Sequence, residues 1–462
     1  VLMLLVVLVL LLFLVLYCML VFCCCRCCCN YVPGPNDMRC LQLMLDLKIK
    51  YPDRVFLILG NRDINKMRFL SELENNTRFG ATSVPYHLKC VKYKDFIKGN
   101  NYENDEVGAL KWMLFETMGC RELFYLRKME LAELAGAEIS SITDSQVAKS
   151  FKDLISPDGE NPLYYQHLQL GQMMCQIGDL LFLHGGVNTE AIGFVPGLET
   201  RCATVAEWSS ALNTWTEDQI AEFARQPTYN AQGKRGGDQL LDYGVPWYTG
   251  GAFNNLSLIY SNGFFNEGGP RVPEQQVQNF LNEGGVHRVL TGHKPQGDVP
   301  TVIKGDSLLI VIADTSYSDV SASKADNIAN NRGDVFATVR VTSTTTSVSG
   351  VTANGSKHGF TIGVDLKDNY PTHAVGHKLA NGSWVKSVLE GEGTKLYCIK
   401  HVGFGITRFY MTVEEMLAAN PSFAKPSSSS LSSSLPPPSS TSSSSSSSLP
   451  PPSSSLSSSL PP

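Results

Sequence analysis

Three short polar turns in this chain carry side chains able to hold a cation. They are Asn61 in Gly60-Asn61-Arg62-Asp63, His184 in His184-Gly185-Gly186, and His293 in Thr291-Gly292-His293-Lys294-Pro295. Metals that activate water at neutral pH need several His, Asn or carboxylate ligands fixed around an open position, and each turn supplies one. A glycine beside each candidate lets the backbone turn sharply and approach closely. Arg62 and Asp63 complete the first turn. Arginine keeps its charge at any working pH and so cannot act as a general acid, but its planar fork can grip two phosphate oxygens at once. Taken singly, each turn has a bland reading: a His at a strand end is usually a hydrogen-bonded structural residue, and Gly-Asn-x-Asp is a common turn. The three in this order point to chemistry.

The elements that must position these turns are legible around them. Met38, Leu41, Leu45 and Ile49 recur at helical spacing before Pro52, and residues 55–59 form a short continuous apolar run typical of a strand buried on both faces. The apolar residues 180–183 empty into His184, and Val289-Leu290 lead to Thr291. Active sites of α/β folds gather where strands end, so the three turns are expected to converge. Residues 104–152 and 217–225 read as helical, and 307–312, 335–341 and 360–364 as strands. Gly178-Asp179 reads as a turn before a strand, His287 as a strand residue, and His87 and His167 as surface or capping residues. Trp112, Trp208, Trp215 and Trp247 are expected in the core. Asp314 and Asp319 end another strand and are candidates to line the same cleft.

The ordered set Gly-Asn-Arg-Asp, then Leu-Phe-Leu-His-Gly-Gly, then Thr-Gly-His-Lys-Pro resembles the calcineurin-like metallophosphoesterases. The likeness is nearest to their branch of serine/threonine protein phosphatases and diadenosine tetraphosphate hydrolases, and it covers about residues 30–320. That family reads D-x-H, G-D-x-x-D-R-G, G-N-H-[DE], a strand ending in H-G-G, and a late G-H. The resemblance implies a four-layer αββα sandwich and hydrolysis of phosphate esters or anhydrides by metal-activated water. It implies one or two divalent ions (Mn, Fe or Zn), with Asn61, His184 and His293 as ligands of one of them. Three departures stand out. No D-x-H precedes Gly60; Asn30, in Asn30-Tyr31-Val32-Pro33-Gly34-Pro35, takes the place of the bridging Asp as a candidate metal ligand; and Arg62 replaces the usual His, so that the resemblance implies Arg62 and Asp63 as catalytic side chains and Arg62 as the substrate-binding group. The sandwich is therefore expected to be incomplete at its N-terminal strands. The apolar burial lost with two central strands is comparable with the whole net stability of a domain, unless the leading apolar run fills the vacancy.

Both ends of the chain are compositionally unusual. Residues 1–22 are almost purely apolar and long enough, as a helix, to cross a bilayer. Two readings stay open: a membrane anchor, and translated low-complexity sequence joined to a globular body. Six of the 13 cysteines lie within residues 23–29, where they could carry palmitoyl groups beside a membrane helix. The others are scattered without zinc-finger or disulfide spacing. With a net charge of -5 and no long basic block, nucleic acid is not an expected partner. The expected partners are a phosphorylated substrate, protein or small molecule, and a membrane through residues 1–22; without that anchor the body is expected in the cytoplasm. Residues 30–357 are expected to form the catalytic domain and 358–422 a small C-terminal α+β unit. The Ser/Pro-rich residues 423–462 are expected to be disordered. An alternative function is a non-catalytic, membrane-tethered phosphate- or protein-binding module on the same fold.

Overall fold

The computed structural model describes residues 20–23, 37–74, 91–120, 122–246, 253–266, 269–315, 331–333, 335, 337–363, 371–391, 394–402 and 405–423. Strands are β1 (Leu20–Cys23), β2 (Val55–Ile58), β3 (Gly171–Gln172), β4 (Met174–Ile177), β5 (Leu180–Leu183), β6 (Phe265–Asn266), β7 (Gly269–Pro270), β8 (Arg288–Thr291), β9 (Thr301–Lys304), β10 (Leu309–Ile312), β11 (Ala337–Val341), β12 (Thr345–Val351), β13 (Lys357–Gly363), β14 (Trp384–Leu389), β15 (Lys395–Val402) and β16 (Gly405–Thr412). Helix α1 (Asp37–Lys50) follows β1, and the short α2 (Asn61–Asn65) follows β2. The α/β class expected from the sequence is the class of the structure, with its strands in several sheets.

The first sheet has the order β1-β2-β3, all parallel, and the second the order β4-β5-β8-β10-β9. In the second, β5, β8 and β10 run parallel, with Phe182 opposite Leu290 and Ile312 opposite Thr291, so their carboxyl ends lie level. Strands buried on both faces need no polar alternation, and β10, whose four residues Leu309, Ile310, Val311 and Ile312 are all buried, is such a strand. Gly178-Asp179 forms the two-residue turn of the β4–β5 hairpin, with Gly178 at φ 59°. The Asp179 carboxylate takes a two-pronged ion pair from the buried Arg288, at 2.6 and 2.7 Å. The same guanidinium donates to the carbonyls of Thr342, in the turn after β11, and of Thr345, the first residue of β12.

Strands β11 to β16 form a third, antiparallel sheet in sequence order. Position 357/358, where a C-terminal unit was expected to begin, lies inside β13. Trp384, Tyr397, Ile399 and Ile406 of this sheet belong to the main core, together with Trp112 and Trp208. A second core joins Val302, Leu309 and Val311 of the five-stranded sheet to Val348, Phe360, Val385 and Leu396. The described residues belong to one compact unit that ends at Phe423.

Two expectations change. No helix among the described residues is long and apolar enough to cross a membrane, which overturns the transmembrane reading. The end of the apolar run is instead an extended strand: Leu20 lies opposite Val55 and Cys23 opposite Ile58 in a parallel ladder. A continuous apolar stretch suits a parallel strand as well as a membrane helix, and the backbone of Leu20–Cys23 is here paired with β2. His167 is also not a surface residue: it is 3% exposed. Residues 1–19, Asn30, His87, Trp247, Asp319 and the tail beyond Phe423 lie outside the described residues.

Candidate metal centre

Asn61 reaches its place through Gly60. Leu59 continues β2 by donating to Gln172 O at 2.9 Å, and Gly60 then caps α2. The Asp63 carboxylate turns back to accept from the Gly60 amide at 2.9 Å, closing a capping arrangement that fixes the turn. Position 60 admits no side chain, because a Cβ there would fall 2.5 Å from Cε1 of His184. The two histidine turns are joined directly. Thr291 Oγ1 donates to the carbonyl of His184 at 2.9 Å and to that of Gly185, and Gly292 N donates to His184 O at 2.9 Å. Gly185 donates to Leu258 O at 3.0 Å, and a Cβ on it would meet that oxygen at 2.4 Å.

His293 occupies a tight turn in which Lys294 N donates to Gly292 O at 2.8 Å, and its φ is 68°. A non-glycine residue held in the left-handed region costs about 1–3 kcal/mol and persists only where the surroundings over-determine it. The turn presents Nδ1 of His293 to Nε2 of His184 at 3.2 Å, while Nε2 of His184 lies 3.0 Å from Oδ1 of Asn61. Tyr260 packs edge-on against His293 with ring centroids 4.5 Å apart.

The separations test whether this set fits a cation. Two ligand atoms bound at ordinary distances, with an angle between right and tetrahedral at the ion, lie about 3.0–3.5 Å apart. Both contacts of the 2% exposed His184 fall in that range. As hydrogen bonds the two contacts compete, because Nε2 of His184 cannot donate to Asn61 Oδ1 and accept from His293 Nδ1 at the same time. The donor set of two imidazoles and one amide oxygen fits one divalent ion of borderline character. No group of three or more His, Cys, Asp or Glu side chains among the described residues is arranged to hold a metal.

The remaining candidates fall around this centre. Arg62 follows Asn61 in α2 and is half-buried. Asp63 is 3% exposed; burial pushes its carboxyl up, but Lys66, His167, the Gly60 amide and His184 outweigh that and hold it below the usual carboxylate range. Its Oδ1 lies 3.3 Å from Lys66 Nζ and 3.9 Å from His167 Nδ1. Burial holds His167 below its ordinary range. Asp314 is half-buried two residues beyond β10, at the same sheet edge. Two neighbours were not singled out from sequence. Lys294 lies in the quoted motif, places its ammonium 5.3 Å from the Tyr260 ring centroid and is pushed down to about 8 by burial. Tyr260 lies in a segment without periodicity, and nothing local marks it.

No protein-family model matches the chain, and no curated protein does. Among solved structures, the chain is similar to a cold-active protein-tyrosine phosphatase of the psychrophile Shewanella sp. The identity is 13%, 72% of this chain and 71% of that one are covered, and the TM-score is 0.28. It is also similar to a Saccharomyces cerevisiae protein serine/threonine phosphatase with similarity to human phosphatase PP5, at 13% identity, 69% and 60% coverage and a TM-score of 0.25. Likenesses at these scores carry no argument, so the chemistry rests on the residues themselves.

Proposed function

We propose that the chain is a phosphatase that hydrolyses phosphate esters or anhydrides at a divalent ion held by Asn61, His184 and His293. The observation that carries this reading is the meeting of an amide oxygen and two imidazole nitrogens within 3.0 and 3.2 Å across 109 to 123 residues of sequence. A bound ion supplies charge neutralisation and a water nucleophile at neutral pH. The chain's own groups supply the rest. Arg62, next to Asn61, grips phosphoryl oxygens in a bidentate fashion. Asp63 orients the Asn61 turn through the Gly60 amide. Arginine donates no proton to a departing oxygen, so the enzyme favours leaving groups that depart unaided, such as aryl phosphates and anhydrides.

The test combines Mn²⁺ titration calorimetry with hydrolysis of p-nitrophenyl phosphate and of an alkyl phosphomonoester. Saturable Mn²⁺ binding, turnover of the aryl ester and a gain on the alkyl ester in Arg62→His support the reading. Turnover unaffected by chelation, or a leaving-group dependence unchanged in Arg62→His, sinks it. A second reading, phosphate binding without turnover, is favoured by the same Arg62 in place of a proton donor; saturable Mn²⁺ and inorganic phosphate binding with no hydrolysis selects it.

A further inference from the structure

The segment that follows His293 is gripped by the third sheet. Lys386 of β14 is fully buried, and its ammonium donates to the carbonyl of Gln296 at 3.0 Å and to the hydroxyl of Thr301. Asp298 N donates to the hydroxyl of Tyr397, on β15, at 3.4 Å, and Ala353 N donates to Asp298 Oδ2 at 3.0 Å. Gly297 N donates to Asn331 O at 2.8 Å, and Gly297 has φ 85° with the Tyr397 hydroxyl 2.8 Å from where a Cβ would stand. Gln296 and Asp298 are 1% and 3% exposed. Residues 296–298, three to five positions after His293, are thus tied down by atoms from β14, β15 and the loops before β11 and before β13.

A buried ammonium is unfavourable unless its hydrogen-bonding capacity is met. Here two of its three N–H donors are met, by oxygens that belong to the stretch leading away from the His293 turn. That turn is left-handed at His293 and is fixed upstream by Thr291 and Gly292. An unfavourable backbone conformation persists only when it is held from both sides, and the downstream hold comes from the third sheet. We infer that Lys386 is a positioning residue for His293: by clamping Gln296, 90 residues before it, and Thr301 it fixes the turn that presents Nδ1, and so sets the affinity of the site for its cation. This inference rests on the proposed function only for its consequence at the ion. The clamp itself can be read without metal.

The experiment uses the full chain and Lys386→Met, which keeps the apolar stem and removes the ammonium. In metal-free protein, hydrogen exchange at the amides of Gly297 and Asp298 is expected to speed up, and in calorimetry Mn²⁺ affinity is expected to fall about 10–100-fold, the range for loss of a residue that orients a ligand. Tyr397→Phe removes only the hydroxyl that accepts from Asp298 and is expected to move both readouts in the same direction by less; it carries the test if Lys386→Met fails to fold. Wild-type exchange at these amides in whichever variant folds overturns the inference. Faster exchange with unchanged Mn²⁺ affinity overturns the link to the cation. A wild-type chain that binds no Mn²⁺ removes the proposed function, while the exchange arm still decides whether Lys386 holds the turn.

Discussion

Asn61 is delivered by a three-stranded sheet whose β1–β2 ladder has four residue pairs and whose β2–β3 ladder has two. His184 and His293 come from adjacent parallel strands in the interior of a five-stranded sheet, and their turns are tied to each other through Thr291 and Gly292. The imidazole half of the site is therefore set by the sheet and by direct cross-links. The amide half depends on a narrow sheet and on one capping interaction between Asp63 and Gly60. The contrast locates where the centre can be broken without disturbing the rest of the protein.

The largest effect is expected at the donor common to both halves. In His184→Ala, Mn²⁺ affinity measured by calorimetry should fall by at least about 100-fold, since even loss of an outer-shell partner costs about 10–100-fold, while the thermal midpoint changes little. Gly60→Ala tests the steric fit between the halves. A methyl 2.5 Å from the His184 ring must displace it, so a stability loss of about 1–3 kcal/mol from overpacking is expected in denaturant titration, together with loss of the cation site. Unchanged binding in either variant would remove the contrast.

A third substitution addresses the narrow sheet alone. Of two consecutive strand residues one directs its backbone towards β2, so Val21→Pro with Phe22→Pro removes at least one ladder bond. The expected loss is about 0.5–1.5 kcal/mol per bond, with exchange of the Asn61 turn speeding up and that of Thr291 and Gly292 unaffected. An effect graded by pH belongs to neither of these sheets. Burial pushes His358, on β13 and 1% exposed, down to about 4. The unfolded chain accepts that proton near its ordinary value of 6.5, so this contribution to stability is complete above about pH 6.5. It declines as pH falls towards 4, by on the order of 1–3 kcal/mol. A pH series of denaturant midpoints should flatten over this window in His358→Leu; an unchanged slope would assign the acid sensitivity elsewhere.

What could be read from the residues alone follows from how local each signal is. Runs such as Leu180–Leu183 and the turns that end them are marked by composition within a few residues, so the strand ends and the turns that carry Asn61, His184 and His293 were legible. The strand at Leu20–Cys23 was not, because an apolar sequence suits a membrane helix or a parallel strand equally well, and for these four residues only the partner strand β2 decides between them. Strand β12, Thr-Thr-Ser-Val-Ser-Gly-Val, hid its buried Thr346 and Val348 among hydroxyl residues that suit a loop equally well. His167 was misplaced for a similar reason: its partner Asp63 lies 104 positions earlier, and helix periodicity alone does not show that its face is covered.

Arg288 binds the hairpin carboxylate 109 residues before it and backbone oxygens 54 and 57 residues after it. A guanidinium buried with so many remote acceptors has all its hydrogen bonds only when the second and third sheets are both in place, so it couples the two sheets to one another. Topologies closed by such distant contacts fold slowly. A nascent chain halted before Thr342 would expose this cation and the unfinished strand edges around it.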